Sequence, residues 1–124
     1  MDAEKTILIA EPKEVLGCSL STSPTCRGFK TIQARTLKET LLAIQEEKVE
    51  VLILDASLLG EDGGFISIIR GMEEHLPIIV CAETNTPEFE AKIRQQRIFY
   101  YHIKSFGIED LEMAISNAIN RQSR

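Results

Sequence analysis

Cysteine is scarce in this chain. Its 124 residues include three, Cys18, Cys26 and Cys81, with no Cys-x-x-Cys pair among them. A disulfide framework or a zinc ribbon needs more thiols at closer spacing, so these read as reduced thiols. No apolar run reaches the roughly 18 residues that a membrane helix needs. The opening Met1-Asp2-Ala3-Glu4-Lys5 has neither the basic start nor the apolar core of a signal peptide. Both absences predict a cytoplasmic chain with no membrane attachment. An excess of basic residues is missing too. The formal net charge of −5 argues against a generic surface for nucleic acid or anionic lipid. Neither a Gly-x-x-x-x-Gly-Lys-Ser/Thr loop nor a Gly-x-Gly-x-x-Gly fingerprint occurs, so the usual phosphate-cradling loops of nucleotide sites are absent.

What remains is the composition of one globular domain over residues 1–124, 44% hydrophobic and 27% charged. Residues 120–124 read as a tail or the start of a linker. The chain is organised around Val49-Glu50-Val51-Leu52-Ile53-Leu54-Asp55. This nearly continuous apolar run stops on a carboxylate and predicts a strand covered on both faces, as in a parallel sheet.

Four further strands are expected, at 6–10, 29–34, 77–81 and 98–103. The alternation of the second marks it as an edge. Helices are expected between and after the strands. The first, over 13–20, has Val15, Leu16 and Leu20 on one side. The second runs over 37–47 behind a Thr36/Glu39 capping box. The third starts at Asp62 or Gly63, ends near 74, and is marked by Phe65, Ile66, Ile68, Ile69 and Met72. The fourth reaches 96, with Thr86 as N-cap and Pro87 at the first helical position, and a cationic Lys92, Arg94, Arg97 end that reads as a solvated face. The last begins near 108. His75 and His102 have no companion ligands and read as structural.

Five β-α units imply right-handed crossovers and an α/β fold, a doubly wound five-stranded parallel sheet in the order 2-1-3-4-5. In such sheets chemistry gathers beyond the carboxyl ends of the strands at the switch point between strands one and three. Glu11 and Asp55 would meet there, with Lys104 from strand five alongside. Two carboxylates at such a rim suit Mg²⁺, and a lysine beside them suits a phosphoryl oxygen.

These residues carry a resemblance. Ile7-Leu8-Ile9-Ala10-Glu11, Val51-Leu52-Ile53-Leu54-Asp55 with Gly63 eight residues on, Pro77-Ile78-Ile79-Val80, and Tyr101-His102-Ile103-Lys104 followed by Phe106 together resemble the receiver domain of response regulators in two-component signalling. The resemblance implies a flavodoxin-like, CheY-like fold. It also implies a phosphoacceptor at Asp55, a phosphoryl-binding lysine at Lys104 and a switch aromatic at Tyr101. Mg²⁺ would be held by Glu11, Asp55 and the backbone carbonyl of Ser57. The implied donor is a histidine kinase or phosphotransfer protein, and the implied output surface is the fourth helix, fifth strand and fifth helix, where a homodimer could form. Such a domain is a phosphoacceptor rather than an enzyme, with at most self-catalysed transfer and loss of its phosphoryl group.

Four positions depart from the family pattern. Pro12 stands where a second acid is usual and removes a direct metal ligand. Ala82 stands at the usual Ser/Thr position, which leaves Thr84 as a substitute hydroxyl. Leu59 and Ser105 replace prolines, so no cis bond is expected after Lys104. Pro12 and Ala82 sustain a rival reading, a pseudo-receiver that interacts or dimerises without phosphorylation. A third reading, an unrelated flavodoxin-like enzyme or cofactor binder, lacks the glycine loop it would need after strand one.

Overall fold

The computed structural model describes residues 5–60, 63–84 and 86–122. Five parallel strands form one sheet in the order β2-β1-β3-β4-β5, with β1 Thr6–Ala10, β2 Lys30–Ala34, β3 Val49–Asp55, β4 Ile78–Ala82 and β5 Tyr100–Ile103. The helices are α1 Val15–Ser21, α2 Leu37–Glu46, α3 Phe65–Met72, α4 Pro87–Arg94 and α5 Ile108–Gln122. The strand order follows the α/β reading of the sequence.

Strand periodicity divides the core into two. Leu8, Ala10, Leu52, Leu54, Ile78 and Val80 face one side and pack under Ile44 of α2, Ile66 and Ile69 of α3, and Ile93 of α4. Their neighbours Ile7, Ile9, Val51, Ile53, Ile79 and Cys81 face the other side, under Leu16 and Leu20 of α1 and Leu111, Ala114, Ile115 and Ala118 of α5. Successive strand residues point to opposite faces, so a run apolar at every position must be covered twice. Burial pushes the Cys81 thiol up to about 12, which keeps it protonated and unreactive. All three cysteines are free.

Several local expectations are corrected. Val15 is 63% exposed and does not share the side of Leu16 and Leu20, which α1 buries; Ile68, one of the apolar residues that mark α3, is 54% exposed while Ile66 and Ile69 are buried. The Thr36 side chain caps α2 as expected, but Glu39 reaches past the cap to the N–H of Arg35. Thr86 makes no side-chain cap on α4, whose first turn relies on Pro87 and on Glu88 and Glu90. Arg97 lies beyond α4 altogether, and α4 ends at Arg94 with Gln95 as its cap. Residues 120–122 continue α5. A start of α3 at Asp62, a tail at 123–124 and the reading of Met1 to Glu4 lie outside the described residues.

His102 is buried and titratable. It is 2% exposed on β5, and its Nδ1 has no partner among the described residues. Burial holds its pKa below the ordinary 6.5, with Asp110 opposing and Lys104 adding to the shift. The unfolded chain therefore takes up a proton near pH 6.5 that the folded chain refuses, and the stabilisation present above that pH drains away as pH falls through the folded value. Thermal scans from pH 7.5 downward should show Tm declining below pH 6.5, with the decline flattened in His102→Leu.

Candidate functional site

One rim of the sheet gathers charge. The register places Ala10 beside Leu54, Asp55 beside Cys81, and Ala82 beside Ile103. The next residues along, Glu11, Glu83 and Lys104, therefore emerge around Asp55. With Pro12 and Ser57 they line a cleft of about 270 Å³.

Asp55 is 7% exposed and has partners on both oxygens. The Lys104 ammonium pairs with Oδ1. The Ser57 N–H donates to Oδ2 at 3.2 Å, and the Ser57 hydroxyl donates to the same oxygen. Asp55 thus also caps the short 3-10 turn Ala56–Leu58. Lys104 has a second carboxylate in Glu83, at 3.3 Å. Burial alone would lower the lysine's pKa, but the bonds and charges of Asp55 and Glu83 outweigh it and hold Lys104 above its ordinary value. The ammonium is charged throughout the neutral range.

Glu11 is 2% exposed, and its Oε1 accepts the Gly17 N–H at 2.9 Å. Desolvation raises its pKa, against the lowering effect of that N–H and of Lys104. A carboxylate held this way is anchored to the first turn of α1 as well as facing the cleft.

The structure thus brings Glu11, Asp55, Ser57 and Lys104 together, with Pro12 on the same wall. Thr84 is exposed and lies outside the cleft lining. The residue at that edge is Glu83, which sequence reasoning missed. Its signal was its place directly after the last residue of β4, one step across from Lys104. Ala82 is 5% exposed and offers no hydroxyl. Tyr101 is 4% exposed, its hydroxyl has no hydrogen-bond partner among the described residues, and the Arg94 guanidinium stands 5.7 Å from its ring centroid. Burial, helped by Glu90, raises the phenol's pKa against the opposing charge of Arg94. No peptide bond among the described residues is cis, including that to Ser105.

The donors suit a hard dication in kind: two buried carboxylates, with the Ser57 backbone next to one of them. They are few in number. No group of three or more His, Cys, Asp or Glu side chains that could hold a metal occurs among the described residues.

The comparisons with known proteins agree with this geometry. The family model of the response regulator receiver domain matches residues 7–116. The KDP operon transcriptional regulatory protein KdpE of Escherichia coli K12 is 28% identical over 119 residues, which cover 94% of this chain and 52% of that protein. The chain therefore spans about half the length of that curated relative. Among solved structures, the CheY-like response regulator receiver domain protein of Methanospirillum hungatei JF-1 superposes with a TM-score of 0.83 at 19% identity, covering 98% of both chains. The signal receiver domain of an HD domain-containing protein from Pseudomonas fluorescens Pf-5 gives 0.83 at 21% identity and the same coverage. The two structural matches speak for the fold, and the family match, which takes in Glu11, Asp55 and Lys104, speaks for descent: the chain belongs to the family of response regulator receiver domains.

Proposed function

We propose that this receiver domain accepts a phosphoryl group on Asp55 from a histidine kinase or phosphotransfer protein. The observation that carries the proposal is the Asp55–Lys104 ion pair, largely buried at the mouth of the sheet. A lone pair of an Asp55 carboxylate oxygen forms the new P–O bond while the P–N bond to the donor's phosphohistidine breaks. The donor imidazole keeps that electron pair and takes a proton. Lys104, released from Asp55, follows the charge onto a phosphoryl oxygen as a mobile point charge. Ser57 keeps the acceptor side chain aimed by its N–H and hydroxyl. Asp55, Glu11 and the Ser57 carbonyl would hold Mg²⁺, which would supply charge neutralisation for the phosphoryl group. Hydrolysis of the acyl phosphate resets the domain, so the chain acts as an acceptor and switch rather than as an enzyme on other substrates. The output face is α4, β5 and α5, for a partner or a second copy of the domain.

The test is intact-protein mass after incubation with acetyl phosphate and Mg²⁺. One phosphoryl adduct is expected in the wild type and none in Asp55→Ala, with chelator reducing the yield. An adduct that persists in Asp55→Ala would place the chemistry elsewhere.

One observation favours a second reading, a phosphorylation-independent interaction module. Tyr101 is already inside the protein, and Ala82 has no hydroxyl with which a phosphoryl group could be coupled to it. On that reading, oligomeric state and partner binding are the same with and without acetyl phosphate and in Asp55→Ala. A shift in sedimentation on adding the phosphodonor, absent in Asp55→Ala, decides for the switch.

A further inference from the structure

At the opposite rim, the segments leading into β4 and β5 enclose a cleft of about 370 Å³ that the phosphoacceptor chemistry does not use. Its charged lining is Arg70, Arg97, Arg121 and Glu74, and His75 and Phe99 line it too. Three guanidiniums thus share a cleft with one carboxylate, in a chain whose formal net charge is −5. None of the three makes an ion pair among the described residues, where the arginines that do are Arg35 and Arg94.

Two of them are held in place. Arg70 donates through Nη1 to the carbonyls of Leu76 and Glu74 and through Nη2 to that of Arg97 at 2.6 Å, which ties both loops of the cleft to α3. These bonds leave the guanidinium charge uncompensated, and burial together with the charge of Arg97 lowers its pKa. Arg121 lies over the Phe99 ring, 5.8 Å from its centroid. Arg97 has a φ of 61°, the only positive value at a non-glycine among the described residues. It follows the end of α4, where glycine takes that conformation at least cost. A bulky cation is kept at a position where the backbone favours no side chain, the kind of local strain that collects at ligand sites.

We infer that this cleft binds a small phosphate-bearing anion, with Arg70, Arg97 and Arg121 as its charge partners. Guanidiniums present planar forks that match phosphate oxygens in pairs, and the Arg121 guanidinium, laid over Phe99, offers a planar stacking face to a base or ring attached to the phosphates. The site is separate from Asp55, since it sits at the amino ends of the strands.

Calorimetry on the whole chain with inorganic pyrophosphate, and separately with ATP, in about 0.15 M salt tests this. Binding with a Kd below about 1 mM is expected for at least one probe. Arg97→Gly and Arg121→Ala should each weaken it at least about tenfold, the range a charge-assisted contact supplies, and Lys104→Ala should leave it within about twofold. Equal affinity for the two probes assigns binding to the phosphates alone, and tighter ATP adds the ring. Arg97→Gly should also raise Tm by a few degrees as the backbone relaxes, so weaker binding in that variant cannot be ascribed to unfolding. The inference is overturned if neither probe binds, or if binding survives both arginine variants, or if it vanishes in Lys104→Ala, which would place the anion in the Asp55 cleft.

Discussion

Gly63→Ala is expected to destabilise the domain by roughly 2–5 kcal/mol, the sum of two separable terms. Gly63 has a φ of +70°, and a Cβ built on it would overlap Cδ1 of Ile93. The left-handed conformation costs an L-residue about 1–2 kcal/mol, and forcing an extra methyl into a filled core costs about 1–3 kcal/mol. Ile93 cannot swing away to open water, because it is fully buried among the residues of α3 and the sheet. A double-mutant cycle separates the terms. Ile93→Val removes the overlapped methyl and by itself should cost about 0.5–1.5 kcal/mol. In the pair, the packing term disappears and only the backbone term remains, so the double variant should be more stable than the two single losses predict. Urea denaturation measures all four corners. Strict additivity would mean that the Gly63–Ile93 approach is not tight, and that the requirement for glycine at 63 is purely conformational.

That contact also marks what the sequence could and could not disclose. The strands were legible because each β-strand of a doubly covered sheet must be apolar on both faces, and few other contexts produce runs such as Val51-Leu52-Ile53-Leu54. The site followed from topology, since strand ends at one rim of a 2-1-3-4-5 sheet are close whatever the side chains are. The orientation of individual side chains was not legible. Glu11 could be placed at the rim, but its bond to the Gly17 N–H depends on where α1 begins, and helix starts shift by a residue or two without altering apolar spacing. Glu83 was passed over because family likeness directed attention to hydroxyls at 82 and 84, whereas the pairing depends on Lys104 needing a second carboxylate. The arginine cleft was invisible because Arg70, Arg97 and Arg121 are far apart in the chain. Arg97 was read as part of a solvated helix face, and only the end of α4 at Arg94 frees it to line the cleft. Val15 and Ile68 show the converse limit: an apolar residue at helical spacing is not thereby an inward one.

Pro12→Asp should strengthen Mg²⁺ binding in the Asp55 cleft, and the sign of its effect on stability should depend on the metal. Position 12 lines the cleft between Glu11 and Lys13, and in the wild type it offers no side-chain oxygen. The carboxylate would join Glu11 and Asp55 around a single ammonium, with Glu83 at the edge. Without metal, three like charges repel at short range, and the unfolded chain regains the freedom proline denied it, worth about 0.4–1 kcal/mol. The metal-free variant should therefore melt below the wild type. With Mg²⁺ the added ligand reverses the order, because carboxylate count is what chiefly sets affinity for a hard dication. A gain of at least tenfold in Kd is expected, which at saturating Mg²⁺ adds about 1.4 kcal/mol beyond any wild-type response, on the order of 4 °C in Tm for a domain of this size. Thermal melts over a Mg²⁺ titration, with calorimetry for Kd, give both quantities without any phosphoryl transfer. Ca²⁺ is the control for a merely electrostatic response, since the smaller ion needs a near-octahedral set of oxygens and the larger one tolerates many. Equal Mg²⁺ responses in wild type and variant would show that position 12 does not limit metal binding, and would undercut the reading of Glu11 and Asp55 as two-thirds of a metal pocket.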